Sequence, residues 1–577
     1  MKNLLILSLL LCGSFSVWGQ EPYQKNQTYT YAEATEQYKS LDSTYADCKY
    51  YEFGNSDYGH PVSLFVINKG GIEVEGLENK GRILINNAIH PGEPCGVDAC
   101  IKLAKELLAE NKVPENVVIG IIPIYNVGGA HNRNCCSRAN QNGPEEYGFR
   151  GNAKNLDLNR DFIKADSKNT LAFYKIFHRL KPHLFVDTHT SNGADYQHTM
   201  TLITSQLDKM NPALANYTKE KLNPFLFSQM EEENYPMVPY VHSVKAIPDN
   251  GIMDYLETPR YSTGYTNLFN CISYVTEAHM LKPYEERVNA TYLFLKHLIA
   301  FTNTNHKELD EKRKESIKAI NAVEKLALNW KLDTLRYDEI TFKGYTATYK
   351  PSKVTGLDRL YYDRNKPWTK KIKYFNRFTP TQYVEIPNYY IIPKAWDKVI
   401  ALYQLNGIAV YELKEDQLLT VEGYYIDDYK TGGRPYEGHY LHKSIEVDKV
   451  EKTINYAAGD YIIPVRNENL RFIVETLEPH APDSYFAWNY FDATLQQKEW
   501  FSSYVFEDEA PEILANNPIL KTKFEEKQRT DSSFAANSFA QLYYIYKHSD
   551  HYERTSNFYP ITRYKGNLDE TLIKRAY

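Results

Sequence analysis

The sequence predicts an α/β protein: a mixed, mostly parallel twisted sheet covered by helices on both faces, followed by a mostly β C-terminal region with some helices. Three observations carry that reading. Compact apolar runs such as Ile83-Leu84-Ile85 and Leu184-Phe185-Val186 mark buried strands. Segments with helical apolar spacing alternate with these runs, as an α/β sheet requires. From Leu332 the texture changes to short Tyr-, Ile- and Val-rich runs broken by Lys, Asp, Gly and Pro, which reads as mostly β.

The elements follow in order. Gln20–Ser43 is polar and partly helical, Val62–Asn68 is a strand, and Gly70-Gly71 marks a turn. After the run at Ile83, the spacing of Val97, Cys100, Leu103, Leu107 and Leu108 predicts a helix over Gly96–Glu110. Val117–Tyr125 is another apolar strand. Asn126–Gly151, rich in Gly, Asn and Arg, is a long functional loop. Thr170–Leu180 is a helix, Leu184–Val186 a strand, Gln206–Met230 helical, Ile272–Thr276 a strand and Glu285–Phe301 a helix. His306–Asn329 is charged and helix-favouring, a candidate linker. Beyond it, Tyr389–Ile392, Gln404–Tyr411 and Tyr461–Val465 are expected as strands. Ala395–Leu402, Gln496–Ala515 and Phe524–Tyr546 are expected as helices. The expected division is 1–19 signal peptide, 20–305 catalytic domain, 306–331 helical linker and 332–577 β-rich region.

Bulk properties narrow the function. The chain has 577 residues, too many for one ordinary domain, and its 42% apolar content supports sizeable cores. A net charge of -6 leaves no basic footprint, so nucleic acid is excluded as an expected partner. The 49 tyrosines fit β-rich structure with amphipathic rings at its surfaces. Lys2, the apolar run Leu4–Cys12 and Val17-Trp18-Gly19 have the layout of a secretory signal. That run is too short to cross a bilayer, and no later stretch qualifies. The expectation is an exported protein, periplasmic or secreted, without a transmembrane segment. Six cysteines follow the signal, and their pairing cannot be read from sequence. The absence of any C-x-x-C pair argues against a thiolate zinc site.

The chemistry gathers at predicted strand ends. His90 and Glu93 follow the Ile83 run, His189 follows Val186, and Glu277 follows Thr276. In open α/β sheets, ligands bind beyond the carboxyl ends of strands. Two imidazoles and one carboxylate form a catalytic zinc set with an open fourth position, so His90, Glu93 and His189 are the candidate ligands for one zinc ion per chain. Glu277 is then the candidate general base. Asn159 and Arg160 offer an amide and a guanidinium fork to a substrate carboxylate. Arg150 is the candidate for stabilising the oxyanion, with Arg138 as runner-up.

Four separated motifs now stand in one order: H-P-G-E at 90–93, R-x-N-x-x-N-L-D-L-N-R-D at 150–161, D-T-H at 187–189 and Y-V-T-E at 274–277. Together they resemble the zinc metallocarboxypeptidases of the carboxypeptidase A type, over residues 40–301. The resemblance implies that His90, Glu93 and His189 hold zinc, that Glu277 is the base and that Arg150 polarises the scissile carbonyl. It further implies that Asn159 and Arg160 clamp the C-terminal carboxylate and that Asp157 orients His90. The family's closing tyrosine is matched to Tyr261, with Tyr255 and Tyr265 as competitors. The segment between His189 and Glu277 is longer than usual for the family, and the C-terminal region is larger. His131, His183, His198, His279, Asp187 and Cys95 read as packing or supporting residues.

The expected function is therefore an exported zinc metallocarboxypeptidase acting on a peptide or muropeptide. Two rivals stand beside it. One is a zinc amidase acting on cell-wall peptides, or a small-molecule deacylase, on the same fold. The other is a non-catalytic glycan- or protein-binding protein. Oligomeric state is not readable from the sequence.

Overall fold

The computed structural model describes residues 20–576 apart from Gly70 and Val74; the expected signal at 1–19 and part of the Gly70-Gly71 turn lie outside the described residues. An eight-stranded sheet forms the first architectural unit. Its strands are β1 (Cys48–Asn55), β2 (Pro61–Ile67), β3 (Gly81–Asn87), β4 (Val117–Ile122), β5 (Leu184–Ser191), β6 (Met200–Thr204) and β7 (Val238–Pro239). Short strands β8 (His242–Ser243) and β9 (Ile252–Met253) leave it, and β10 (Ile272–His279) returns to its centre. The order is β1-β2-β4-β3-β5-β10-β6-β7, with β4-β3-β5-β10 parallel. Antiparallel strands border that parallel block on both sides.

Helices cover both faces: α1 (Tyr31–Thr44), α2 (Cys95–Ala109), α3 (Val127–His131), α4 (Lys168–Leu180), α5 (Pro212–Tyr217), α6 (Asn223–Glu232), α7 (Ser262–Asn267) and α8 (Tyr284–Ala322). Alternation along β3 explains why its run is continuously apolar. Leu84 packs in the layer that includes Phe173 and Phe177 of α4. Ile83 and Ile85 pack in the opposite layer with Leu103 of α2 and Leu295 of α8. Each such buried side chain contributes roughly 2 kcal/mol.

The structure redraws several expected boundaries. α8 is one helix of 39 residues, so the expected helix at Glu285 and most of the expected linker are a single element. No Gly or Pro interrupts it. Lys325–Leu332, the end of that linker, is a strand. The strand expected over Gln404–Tyr411 is absent. The helix Asp397–Leu405 runs into it, and only Tyr411–Leu413 is extended. Gly407 takes φ +67°, and Ile408 N–H donates to the Tyr403 carbonyl at 3.0 Å, a helix-ending turn that glycine permits. Gln206–Met230 divides into α5, a π-helical turn and α6.

Beyond α8, most strands are antiparallel. The hairpin Asp338–Pro351/Asp358–Phe375 pairs back onto β9, with Tyr374 opposite Ile252. A seven-stranded sheet follows, then the helices Ser503–Asn516, Pro518–Thr530 and Ser538–Lys547. Cys135 and Cys136 form a disulfide between adjacent residues, whereas Cys48, Cys95, Cys100 and Cys271 are free and buried. Among the described residues, no helix is long and apolar enough to cross a membrane.

Candidate active site

β3 ends at Asn87 and the chain reverses over His90–Glu93, where Glu93 N–H donates to the His90 carbonyl at 2.8 Å. This turn sets the two side chains toward one point. His189 and Glu277 do not follow their strands, as expected, but lie inside them near the carboxyl ends. They are register partners across the parallel pair β5–β10. His90, Glu93 and His189 are all buried, and one ligand atom from each lies within 4.8 Å of the others.

The hydrogen bonds define which atoms are offered. His90 Nε2 is bound to Asp157 Oδ1 at 2.9 Å, leaving buried Nδ1 without a hydrogen-bond partner and 3.3 Å from Glu93 Oε1. His189 Nδ1 lies 2.9 Å from Glu93 Oε2, and its Nε2 lies 3.1 Å from Asp187 Oδ2. Each imidazole thus turns Nδ1 inward and has a carboxylate at its back, the arrangement that orients metal-ligating histidines. Burial opposes ionisation of Glu93, but Arg138, His90 and His189 outweigh it and hold its carboxyl well below the usual range. Burial also opposes charge on His189, yet Asp187 and Glu93 draw positive charge to that ring. An inward imidazole nitrogen with no partner, among acids that favour positive charge, fits a divalent cation.

The Asn155–Asp161 loop supplies the rest. Asp157 accepts from Arg150 Nε and Nη2 at 3.1 and 2.8 Å, and from Asn159 N–H at 2.9 Å. Burial raises its carboxyl, but His90, Arg150 and Arg160 together bring it well below the carboxylate range. Asn159 Oδ1 accepts Ser262 N–H at 3.0 Å, and Ser262 Oγ donates to Asp187 at 2.5 Å. The Arg160 guanidinium lies 4.4 Å from the Tyr261 ring centre, and Tyr255 packs edge-on against Tyr261.

These groups enclose a cavity of about 240 Å³ lined by His90, Glu93, Arg150, Asn159, Arg160, His189, Tyr261 and Glu277. Every expected site residue therefore converges here, with Asp157 directly behind. Burial pushes the Glu277 carboxyl up to about 8; His189 opposes that shift and Glu93 adds to it. Sequence reasoning missed Tyr240, Glu257 and Thr263, which also line the cavity. Neither spacing nor strand position marks them, because Tyr240 and Glu257 arrive from irregular chain between α6 and β10 and Thr263 from the short helix α7. Arg138, read as a runner-up, lines the cavity and reaches Glu93 Oε1 at 2.8 Å. Of the residues read as supporting, Asp187 backs His189. His183 sits instead against Arg82 and Asp310, His198 against the Pro236 carbonyl and His279 against Tyr196.

A buried His/Glu/His cluster at the carboxyl edge of an α/β sheet, facing a guanidinium-lined cavity, defines the class of metal-dependent hydrolases. The comparisons specify it further. Residues 35–263 match the family model described as zinc carboxypeptidase, so over those residues the chain carries the domain of a zinc metallocarboxypeptidase, a hydrolase of peptide bonds. Zinc is the metal of that family, and among the described residues His90, Glu93 and His189 form a group able to hold one. The chain is similar to carboxypeptidase 2 of Trichophyton tonsurans, 21% identical over 447 residues, covering 74% of this chain and 76% of the relative. A probable carboxypeptidase 2 of Arthroderma benhamiae is 20% identical over 450 residues, covering 74% and 79%. Among solved structures, a metallo-carboxypeptidase from Burkholderia cenocepacia aligns with TM-score 0.37 and 16% identity, over 48% of this chain and 70% of that one. Carboxypeptidase A from Helicoverpa armigera aligns with TM-score 0.37 and 14% identity, over 49% and 75%.

Proposed function

We propose that the chain hydrolyses the last peptide bond of its substrates, with Glu277 as the general base. The observation that carries this reading is the register of Glu277 against His189, which puts a carboxyl of raised proton affinity beside the His/Glu/His cluster. Zinc, when bound there, supplies positive charge that polarises a carbonyl and acidifies water. Glu277 accepts the proton of the attacking water and delivers it to the leaving amine. Asn159 and Arg160 hold the terminal carboxylate in fork geometry, and Tyr261 covers it from its position over Arg160. Arg150 and Arg138 both face the attacked carbonyl. Arg150 takes the oxyanion role, and Arg138, which lines the same cavity, pairs with Glu93 Oε1 at 2.8 Å.

Glu277→Gln should abolish turnover while zinc content stays at one per chain. Near-normal turnover in that variant would remove Glu277 from the mechanism. Arg160→Ala should impair peptides with a free terminal carboxylate more than amidated ones. An equal effect on both would remove the clamp. We also propose export, on the signal-like segment at 1–19. An N-terminus beginning at Met1 in protein recovered from the producing cells would count against it.

A further inference from the structure

The cavity holds a buried carboxyl that the proposed mechanism does not use. Glu257 is 5% exposed and lines the cavity alongside Tyr255, Tyr240 and Thr263. Glu257 and Thr263 also wall a smaller void bounded by Ser205, Gln206, Lys209 and Gly264, so Glu257 stands on the inner wall. Its carboxyl accepts hydrogen bonds from Thr263 Oγ1 at 3.3 Å and from its own backbone N–H, both neutral donors. Lys209 draws its proton affinity down, but the Lys209 ammonium is bound to Glu475 at 2.8 Å, and among the described residues no cation forms an ion pair with Glu257. Burial pushes its carboxyl up to about 8, and the neighbouring Asp254 adds to the shift.

An unpaired acid is an unfavourable group to bury. In a substrate cavity it is satisfied by a cation that the ligand brings. The remaining walls suit such a ligand. Asn159 and Arg160 offer donors to a carboxylate. Ile203 and Val275, register partners on β6 and β10, form a short apolar wall for a methylene stem.

Resting on the carboxypeptidase reading, we propose that Glu257 selects the residue to be released: the substrate's C-terminal side chain carries an ammonium or guanidinium group, as in lysine or arginine, and pairs with Glu257 on the inner wall of the cavity.

The test uses the full zinc-loaded chain and peptides identical except for a last residue of Lys, Arg, norleucine, Gln or Glu. Wild type should favour Lys and Arg over norleucine in kcat/KM by on the order of a hundredfold, the range for a desolvated charge pair. In Glu257→Gln, with a melting temperature confirming the fold, that ratio should collapse toward one, chiefly through KM. Calorimetry supplies a second readout that needs no turnover. Free arginine should bind wild type more tightly than norleucine and release a proton near pH 7 as Glu257 ionises. Equal use of Lys and norleucine by wild type, or a preference for Glu, overturns the proposal. A wild-type preference that survives Glu257→Gln overturns the assignment to this residue. If no peptide is cleaved but arginine still binds selectively through Glu257, the carboxypeptidase reading fails while the cation site stands.

Discussion

Asp157 shows how much one side chain coordinates. It holds the outer nitrogen of His90, forks with Arg150, lies 3.9 Å from Arg160 and caps the backbone of Asn159. Asp157→Asn preserves size and removes charge, so zinc affinity should fall about 10–100-fold. Competition against a chromophoric chelator measures this, and unchanged affinity would deny Asp157 its orienting role. A different residue contributes to acid stability. Burial lowers the His183 ring to about 3, and its Nδ1 accepts the Arg82 N–H at 3.2 Å. The folded state therefore binds this proton less readily than the unfolded chain, whose histidine titrates at about 6.5. The stability His183 contributes is present above pH 6.5 and is lost as pH falls toward 3. His178 and His198, both lowered to about 4 by burial, act in the same direction. The melting temperature of His183→Gln should fall less steeply than that of wild type between pH 6.5 and 4. Parallel slopes would contradict the assignment.

At the scale of elements, the decisive contact joins two loops far apart in sequence. The hairpin of Gln417–Thr431 and His442–Tyr456 ends in a tip that bears on the Asp157 loop. There Glu437 Oε2 accepts the Asp157 N–H at 2.7 Å, and His439 Nε2 lies 2.7 Å from Asp166 Oδ2. Tyr436 and Trp488 flank Arg260, the residue before Tyr261. The tip thus braces both the loop of Asn159 and Arg160, the proposed carboxylate clamp, and Tyr261, the proposed cover. Glu437→Ala should lower kcat/KM by about tenfold through a looser Asp157, with weaker zinc retention as the accompanying sign. Normal zinc retention and kinetics would reduce the contact to packing.

For the molecule as a whole, the two regions share one core. Tyr265 and Phe269 from the α/β unit pack with Phe472, and Tyr265 donates to Asn406 at 2.5 Å. Arg260 pairs with Asp483 at 2.8 Å, and Arg471 Nη1 reaches Asn267 Oδ1 at 2.8 Å. Cutting the chain at 332 would uncover these apolar rings and leave Arg260 unpaired. Calorimetry should therefore show one cooperative transition for the described fold, and a fragment ending at 331 should be insoluble or inactive. A stable, fully active fragment would show that the C-terminal region is dispensable.

The sequence by itself determined what is local or repeated along the chain. The alternation of apolar runs and helical spacing set the sheet and its covering helices, because burial period follows backbone geometry. A His and a Glu on one turn, and a His and a Glu near two strand ends, announced the cavity, because strand ends in such sheets converge on one edge. Tertiary structure alone decided what depends on packing between distant segments. It placed Arg138 beside Glu93, turned Glu257 inward without a cation, and laid Glu437 against Asp157. Those contacts come from irregular loops and a distant hairpin, where no periodicity records which wall a side chain will face.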